Sequence, residues 1–440
     1  MPFSERTYKK YLLSVLLVVL AFNQVDRFAL GLVLQNLKVD LTLSDTQLGL
    51  LSGIAFALFY SVMGIPIARW ADRGNRVTII SLTTALWSVA VALCGLAASF
   101  LQLLIIRIGV AVGEAGCIPT AHSLIGDYFT RAERPRAAGI YMLGWPLSMI
   151  IGYFLAGWLN ELYGWRATFI LLGLPGLALA GLARISLREP RCARTSAQPA
   201  QALPSHSSQD VNAGPSAVHP SLREVAATLW GNTSFRHLLL CFSLVLFFGY
   251  GMAQWQAAFF IRSYGLKTGA LGTWFAAIYG VGGLLGTYWG GEFASRRLAN
   301  KERLQLRATA VVYSTLSVVY VFVYLSPNQY VAFGLMALAA VGGTMTNGPL
   351  FATIQTLVPA HMRATSIAII YLFANFIGMG LGPLAAGALS DFFRPMVAEE
   401  SLRFALLALC PGFAWAAWHL WRASSTVVRD LEAHQIHAPT

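Results

Sequence analysis

An all-α membrane protein, with twelve transmembrane helices in two pseudo-symmetric six-helix bundles, is the fold class this 440-residue sequence predicts. Three observations carry it. Hydrophobic residues make up 56% of the chain and charged ones only 11%, whereas soluble domains are about a quarter charged. The apolar residues fall into runs of roughly 18 to 25, each long enough as a helix to cross a hydrocarbon core of about 30 Å and unlike the short alternating strands of a membrane β-barrel. Finally, the runs divide six and six about a polar stretch, 190–221.

In chain order, the N-terminal bundle (1–189) opens with a span at 9–36, too long for a secretory signal and without a small-residue cleavage site. Spans follow at 46–69, 76–98, 101–128, 135–160 and 166–187, each bounded by charged residues or by Gly and Pro. The stretch 190–221 is rich in Ser, Ala, Pro and Gln and has too little apolar surface to fold, so it reads as a disordered cytoplasmic linker. In 222–232, Leu222, Val225, Leu229 and Trp230 recur at helical spacing opposite Arg223 and Glu224, the pattern of an amphipathic helix lying on the membrane interface. The C-terminal bundle (233–425) has spans at 236–262, 269–293, 305–325, 329–357, 364–391 and 401–422, and a short tail (426–440) follows.

The net charge of +12 invites a nucleic-acid reading, but the positions of the charges exclude it. If successive spans alternate sides, 23 of the 31 Lys and Arg fall on the side of the termini and the linker, six on the other side, and Arg27 and Arg107 inside the membrane. That is the positive-inside pattern, which puts both termini in the cytoplasm, for a bacterial-looking chain at the inner membrane, facing anionic lipid. The five cysteines have neither CxxC spacing nor His neighbours, so packing explains them better than metal or redox chemistry.

The halves repeat one another weakly. DYFTRAERPRAAGIYMLG stands between spans four and five and LVPAHMRATSIAIIYLFAN between ten and eleven, each a break, an Arg (Arg136 or Arg363), small residues and a new apolar run. Duplication about a central linker is a transporter pattern. GIPIARWADRGNR, between spans two and three, resembles the signature loop of the major facilitator superfamily, with Asp72, Arg73 and Arg76 at its charged positions and Ala68 where Gly is frequent. RIGVAVGEAG (Arg107–Gly116) resembles the family's second motif, and NQVDRFALG in span one narrows the resemblance to its Spinster-like branch. That resemblance implies a transporter of a lysophospholipid or sphingoid phosphate, working as a monomer by alternating access without a cofactor or metal.

Four ionisable residues are expected inside the membrane, Asp26, Arg27, Arg107 and Glu114, all in the N-terminal half. Each costs roughly 2.5–3.5 kcal/mol at mid-bilayer, so such residues are functional candidates by default. Arg107 and Glu114 share one helix face about 10 Å apart along the axis, too far to pair directly, and leave Asp26 or Arg27 to bridge them. The resemblance implies that spans one and four line a central cavity, so that Asp26 can approach Arg107 and alternate between a carboxylate paired with it and a protonated acid, since a nearby cation and desolvation move an acid's pKa in opposite directions. Glu114 is the second proton site, and a purely structural, neutral network is the competing reading. Across the cavity, Tyr250, Trp255, Tyr279, Asn347, Tyr371 and Asn375 would form an aromatic, uncharged wall suited to an amphiphile, although helix packing accounts for each aromatic taken singly.

The resemblance also implies a cytoplasmic gate: the family's counterpart of Asp72 lies near the N-terminus of the eleventh helix, where the helix dipole favours a carboxylate, so Asp72 with Arg73 and Arg76, together with Arg136 and Arg363, would form the gate here, a purely topogenic basic loop being the competing reading. Glycines in spans eight and eleven permit close helix approach and bending. No GxSxG, metal-ligand set or phosphate loop is present, which argues against an enzyme or an ATP-driven pump. An organic-anion or sugar-acid symporter is the rival transporter, and a transporter-derived receptor or sensor the rival of another class.

Overall fold

The computed structural model describes residues 4–190, 229–298, 301–358, 370 and 372–436. Ten helical stretches among them are long and apolar enough to cross a membrane. Two of these are double. Residues 134–186 fold back at Gly164, whose φ of 80° and ψ of 167° suit glycine alone, and 372–432 fold back at Ala398. Counting both passes of each gives the twelve expected spans. We number them α1 (Glu5–Asp40), α2 (Asp45–Arg73), α3 (Arg76–Cys94), α4 (Phe100–Tyr128), α5 (134–163), α6 (165–186), α7 (Thr233–Tyr264), α8 (Thr268–Arg297), α9 (Glu302–Leu325), α10 (329–356), α11 (372–397) and α12 (401–436).

Local sequence explains the helix ends. Ser44 and Gln47 cap α2 reciprocally as a capping box, and Asn75, Ser99 and Asn232 accept from backbone N–H groups at the starts of α3, α4 and α7. Along α3, Leu82, Leu86, Val89 and Leu93 are exposed at helical spacing, a face made for hydrocarbon. Several spans are interrupted part-way: α2 at Gly53, α4 at Ala115 and Gly116, α7 at Gln254 and Trp255, and α8 and α11 by π-helical turns at Ala276–Val281 and Phe376–Leu381. Such irregularities cluster where helices bend or meet ligands.

Of the expected linker and interfacial helix, only Pro190 and 229–232 fall among the described residues; Leu229 there is buried and Trp230 exposed. The last helix does not stop near 422. It runs on to Ile436, since Arg422–Ile436 contains no Gly or Pro, and the Ser234 N–H and hydroxyl both donate to Asp430, tying the extension to the start of α7.

The face holding the start of α1 and the end of α12 is called the terminal face below, and the opposite one the far face. At the terminal end, the N-terminal half has a core of its own, in which Leu12, Leu16, Val77, Ile80, Leu124 and Ala183 meet. Toward the far face a larger core runs through both halves. There α1 packs on the second part of α7, the start of α2 on α11, and α5 on α8. Among the described residues, therefore, the two bundles are joined from mid-depth to the far face.

Candidate functional site

Consecutive residues on a helix point about 100° apart, so Asp26 and Arg27 reach different partners on α4. Arg107 donates from Nη1 to Asp26 Oδ2 at 2.5 Å. Arg27 donates from Nε and Nη2 to Glu114 Oε2, at 2.9 and 2.5 Å. The result is two stacked ion pairs of opposite polarity between α1 and α4. Asp26, Arg107 and Glu114 are fully buried, whereas the Arg27 side chain keeps 15% exposure. The cations also lie on aromatic faces, Arg27 4.5 Å from the Phe56 ring centre and 4.8 Å from that of Tyr60, and Arg107 5.2 Å from Phe56.

Polar capacity is left over. Asp26 Oδ1, Glu114 Oε1, Arg107 Nε and, one turn away, Asn23 Nδ2 and Gln24 Oε1 are buried without a hydrogen-bond partner among the described residues. Buried polar atoms are rarely left so unless they serve a proton, a water or a ligand. Beside them is a cavity of about 30 Å³, lined by Arg27, Phe56 and Arg107 from the first half and by Tyr250, Gln254 and Met379 from the second. Arg27 Nη1 is 3.8 Å from Met379 Sδ across this gap. The charges are on one wall, and the other is uncharged.

The remaining candidates scatter. Tyr250 lines the cavity. Trp255 is completely buried, its Nε1–H donating to the Pro383 carbonyl at 2.9 Å, which makes it a packing group between α7 and α11. Tyr279 donates its hydroxyl to Gln256 and lies against Tyr153, 5.8 Å between ring centres. Asn347 is exposed where the second part of α10 begins, and Asn375 is half-buried on α11. Tyr371 and Arg363 lie outside the described residues.

At the terminal face, Asp72, Arg73 and Arg136 are exposed. Arg76 is instead fully buried within the N-terminal half, where it pairs with Asp127 at 2.7 Å and with Glu189, and donates to the Ser123 carbonyl. Placed at the start of α3, it ties that helix to the ends of α4 and α6. Glu292 on α8 pairs with Arg296 one turn on.

A second charged cluster, which sequence reasoning passed over, closes the far face. Asp45 is 1% exposed. Its Oδ1 accepts from Lys38 at 2.6 Å and from Arg262 Nη2 at 2.8 Å, and its Oδ2 from Arg262 Nη1 and the Ser390 hydroxyl, both at 2.7 Å. Arg262 Nε also donates to Gln35 at 2.7 Å. A residue of α2 is thereby clamped to α7 and α11 of the other half. Asp391 completes the closure by accepting from the Asp45 and Thr46 backbone N–H groups at 3.1 and 2.7 Å, capping α2 from across the interface. The sequence signal was faint: Asp45 lies in SDTQ, a helix-start pattern, and Arg262 at a span end looks like an ordinary topogenic charge.

Comparison with known proteins agrees with this architecture. The family model of the Major Facilitator Superfamily matches residues 16–383. A protein of Mycolicibacterium smegmatis described as an MFS-type efflux pump is 30% identical over 423 residues, which is 95% of this chain and 93% of that protein. The hexuronate transporter of Bacillus subtilis is 24% identical over 84% of this chain and 85% of its own. Among solved structures, a bacterial homologue of the human lysosomal transporter Spinster, inward-facing and unoccupied, superposes with a TM-score of 0.81 and 29% identity, over 96% of this chain and 98% of that one.

Proposed function

Because this chain belongs to the Major Facilitator Superfamily, and is thus a multi-pass membrane transporter rather than an enzyme, we propose that it carries a lipid-like amphiphile by proton-coupled alternating access. The cargo class is a lysophospholipid or sphingoid phosphate. The observation that carries the reading is the cavity between Arg27 and Tyr250, with cations on one wall and the uncharged Tyr250, Gln254, Met379 and Pro383 on the other. An anionic or zwitterionic head group would meet Arg27, the cation of the cluster that retains exposure, while the tail would lie against the second half.

The two ion pairs supply the coupling. With Asp26 ionised, the charge of Arg107 is neutralised by a carboxylate of its own chain. A proton on Asp26 frees Arg107 to hold an anionic head group, and the same exchange at Glu114 frees Arg27. Protonation and binding of an anion are then linked, because each cation can be neutralised by a carboxylate of its own chain or by cargo. With the termini in the cytoplasm, a closed far face is a closed periplasmic side, and the state described is inward-facing.

A smaller organic anion is the second reading, favoured by the hexuronate transporter among the relatives. Counterflow into proteoliposomes, using a panel of lysolipids and sugar acids at two pH gradients, separates the two. Exchange of lysolipids, driven by the pH gradient in the wild type and less dependent on it in Asp26→Asn, is expected. Exchange of sugar acids alone would overturn the amphiphile, and a gradient response unchanged in Asp26→Asn would remove Asp26 from coupling.

A further inference from the structure

On the outer surface of the C-terminal half, α9 and α12 part to leave a groove of about 540 Å³. Its walls are Val311, Ser314 and Val318 of α9 and Ala417, Trp418 and Trp421 of α12. Val311, Val318 and both tryptophans are more than half exposed, so this face meets surrounding hydrocarbon rather than the core. At the end nearer the terminal face, the groove is closed by cations. The Arg307 guanidinium lies 5.0 Å from the Trp421 ring centre, and that of Arg422 5.9 Å from Trp418.

Among the described residues, the contacts of these guanidinium groups are with the aromatic faces and not with a carboxylate. Neither makes a salt bridge among the described residues, and Arg307 Nε is buried without a hydrogen-bond partner. A guanidinium held by an aromatic face, with a buried and unanswered N–H, is prepared for an oxyanion. The depth of the groove points to the source. From Arg307 to Val318 is eleven residues, about 16 Å of helix, close to half of a hydrocarbon core of about 30 Å. An acyl chain lying in it from the level of Arg307 would therefore end near the bilayer midplane.

We propose that this groove is a binding site for an anionic phospholipid of the leaflet at the terminal face. Its phosphate is held by Arg307 and Arg422, the tryptophans sit at the level of the glycerol backbone, and one acyl chain fills the space between Ser314 and Ala417. The site is on the outer wall, away from the cavity between the halves, so it stands whether or not the transported cargo is itself a lipid. Helix-flanking basic pockets of this kind favour acidic head groups by electrostatics, while the apolar groove selects for a chain and against free phosphate.

The test is photocrosslinking of the purified full-length protein in mixed micelles, with phosphatidylglycerol carrying a diazirine on one acyl chain and the adducts located by peptide mass spectrometry. Adducts on α9 and α12 around Ser314 and Ala417 are expected, displaced by unlabelled phosphatidylglycerol and much less by phosphatidylcholine. Arg307→Gln should weaken retention about five-fold, the effect of one interfacial cation, and Ser314→Phe, which fills the groove from an exposed position on α9 and leaves the arginines in place, should abolish those adducts. The two variants are independent, so failure of one to fold leaves the other decisive. Adducts elsewhere, equal displacement by phosphatidylcholine, or unchanged labelling in a folded variant would overturn the site.

Discussion

The central cluster and the far-face cluster are both buried networks of carboxylates and cations, yet their wiring differs. Asp26–Arg107 and Arg27–Glu114 join α1 to α4 and remain inside one half. Asp45 reaches from α2 to Arg262 of α7 and Ser390 of α11, across the seam. A pair within one rigid body can change its protonation while the bodies keep their relation. One that spans the seam must break before they move. The first arrangement therefore suits a sensor and the second a latch, and burial alone does not distinguish them. Topology does.

The sharpest way to break the comparison is to remove the latch. In Asp45→Asn, Lys38 and Arg262 lose their shared carboxylate in a site where the Arg262 side chain is only 8% exposed. Stranding a buried charge costs about 3–5 kcal/mol, and the loss falls on the far-face-closed state because Arg262 belongs to the other half. The expected outcome is a large shift toward an open far face, read as longer distances between spin labels on the loops 40–44 and 265–267. Distances identical to the wild type would show that Asp45 is not a latch.

A smaller change at the same seam tests its packing. A Cβ on Gly387 would stand 2.2 Å from the Asp45 carbonyl oxygen, and one on Gly53 2.3 Å from that of Gly380. Both contacts are backbone to backbone across the halves, so no side chain can swing away to relieve them. Gly387→Ala should disfavour the closed far face by about 1–3 kcal/mol, the usual range for overpacking, in the same direction as Asp45→Asn. Because the added methyl lies at the seam and the N-terminal half has a core of its own beyond it, the helical content of this variant should match the wild type by circular dichroism. A far face that still closes fully, by the same spin-label distances, would mean that the helices slide to absorb the methyl.

What could be read from the chain follows the same division. Asp26, Arg27, Arg107 and Glu114 stood out because a charge inside an apolar run is costly wherever the run lies, and the twelve spans stood out because a bilayer fixes their length. Asp45 and Arg262 did not, since a charge at a span end is ordinarily solvated; only the packing of α2 against α11 puts Asp45 out of water. Arg76 shows the opposite failure: it occupies a loop in a signature motif, yet Asp127 and Glu189 hold it inside one half. Trp255 looked like a cavity aromatic and is committed to Pro383. Contacts made between distant segments, or only in one arrangement of the halves, leave little mark on a single sequence.

The smallest effect expected on the far face comes from the central cluster, and that is what sharpens the comparison. Glu114→Gln keeps the side chain's shape and removes its charge, leaving Arg27 with a neutral acceptor but still lying on Phe56 and Tyr60. No bond of the Asp45 network touches Glu114, so the spin-label distances at the far face should stay at wild-type values in the absence of cargo. Counterflow should nonetheless lose part of its dependence on the pH gradient, because one of the two carboxylates that compete with cargo for a cation can no longer take or release a proton. If Glu114→Gln opened the far face as far as Asp45→Asn does, the two clusters would be one mechanical unit and the division between sensor and latch would fail. If it left the far face closed and the gradient response intact, Asp26 alone would carry the proton.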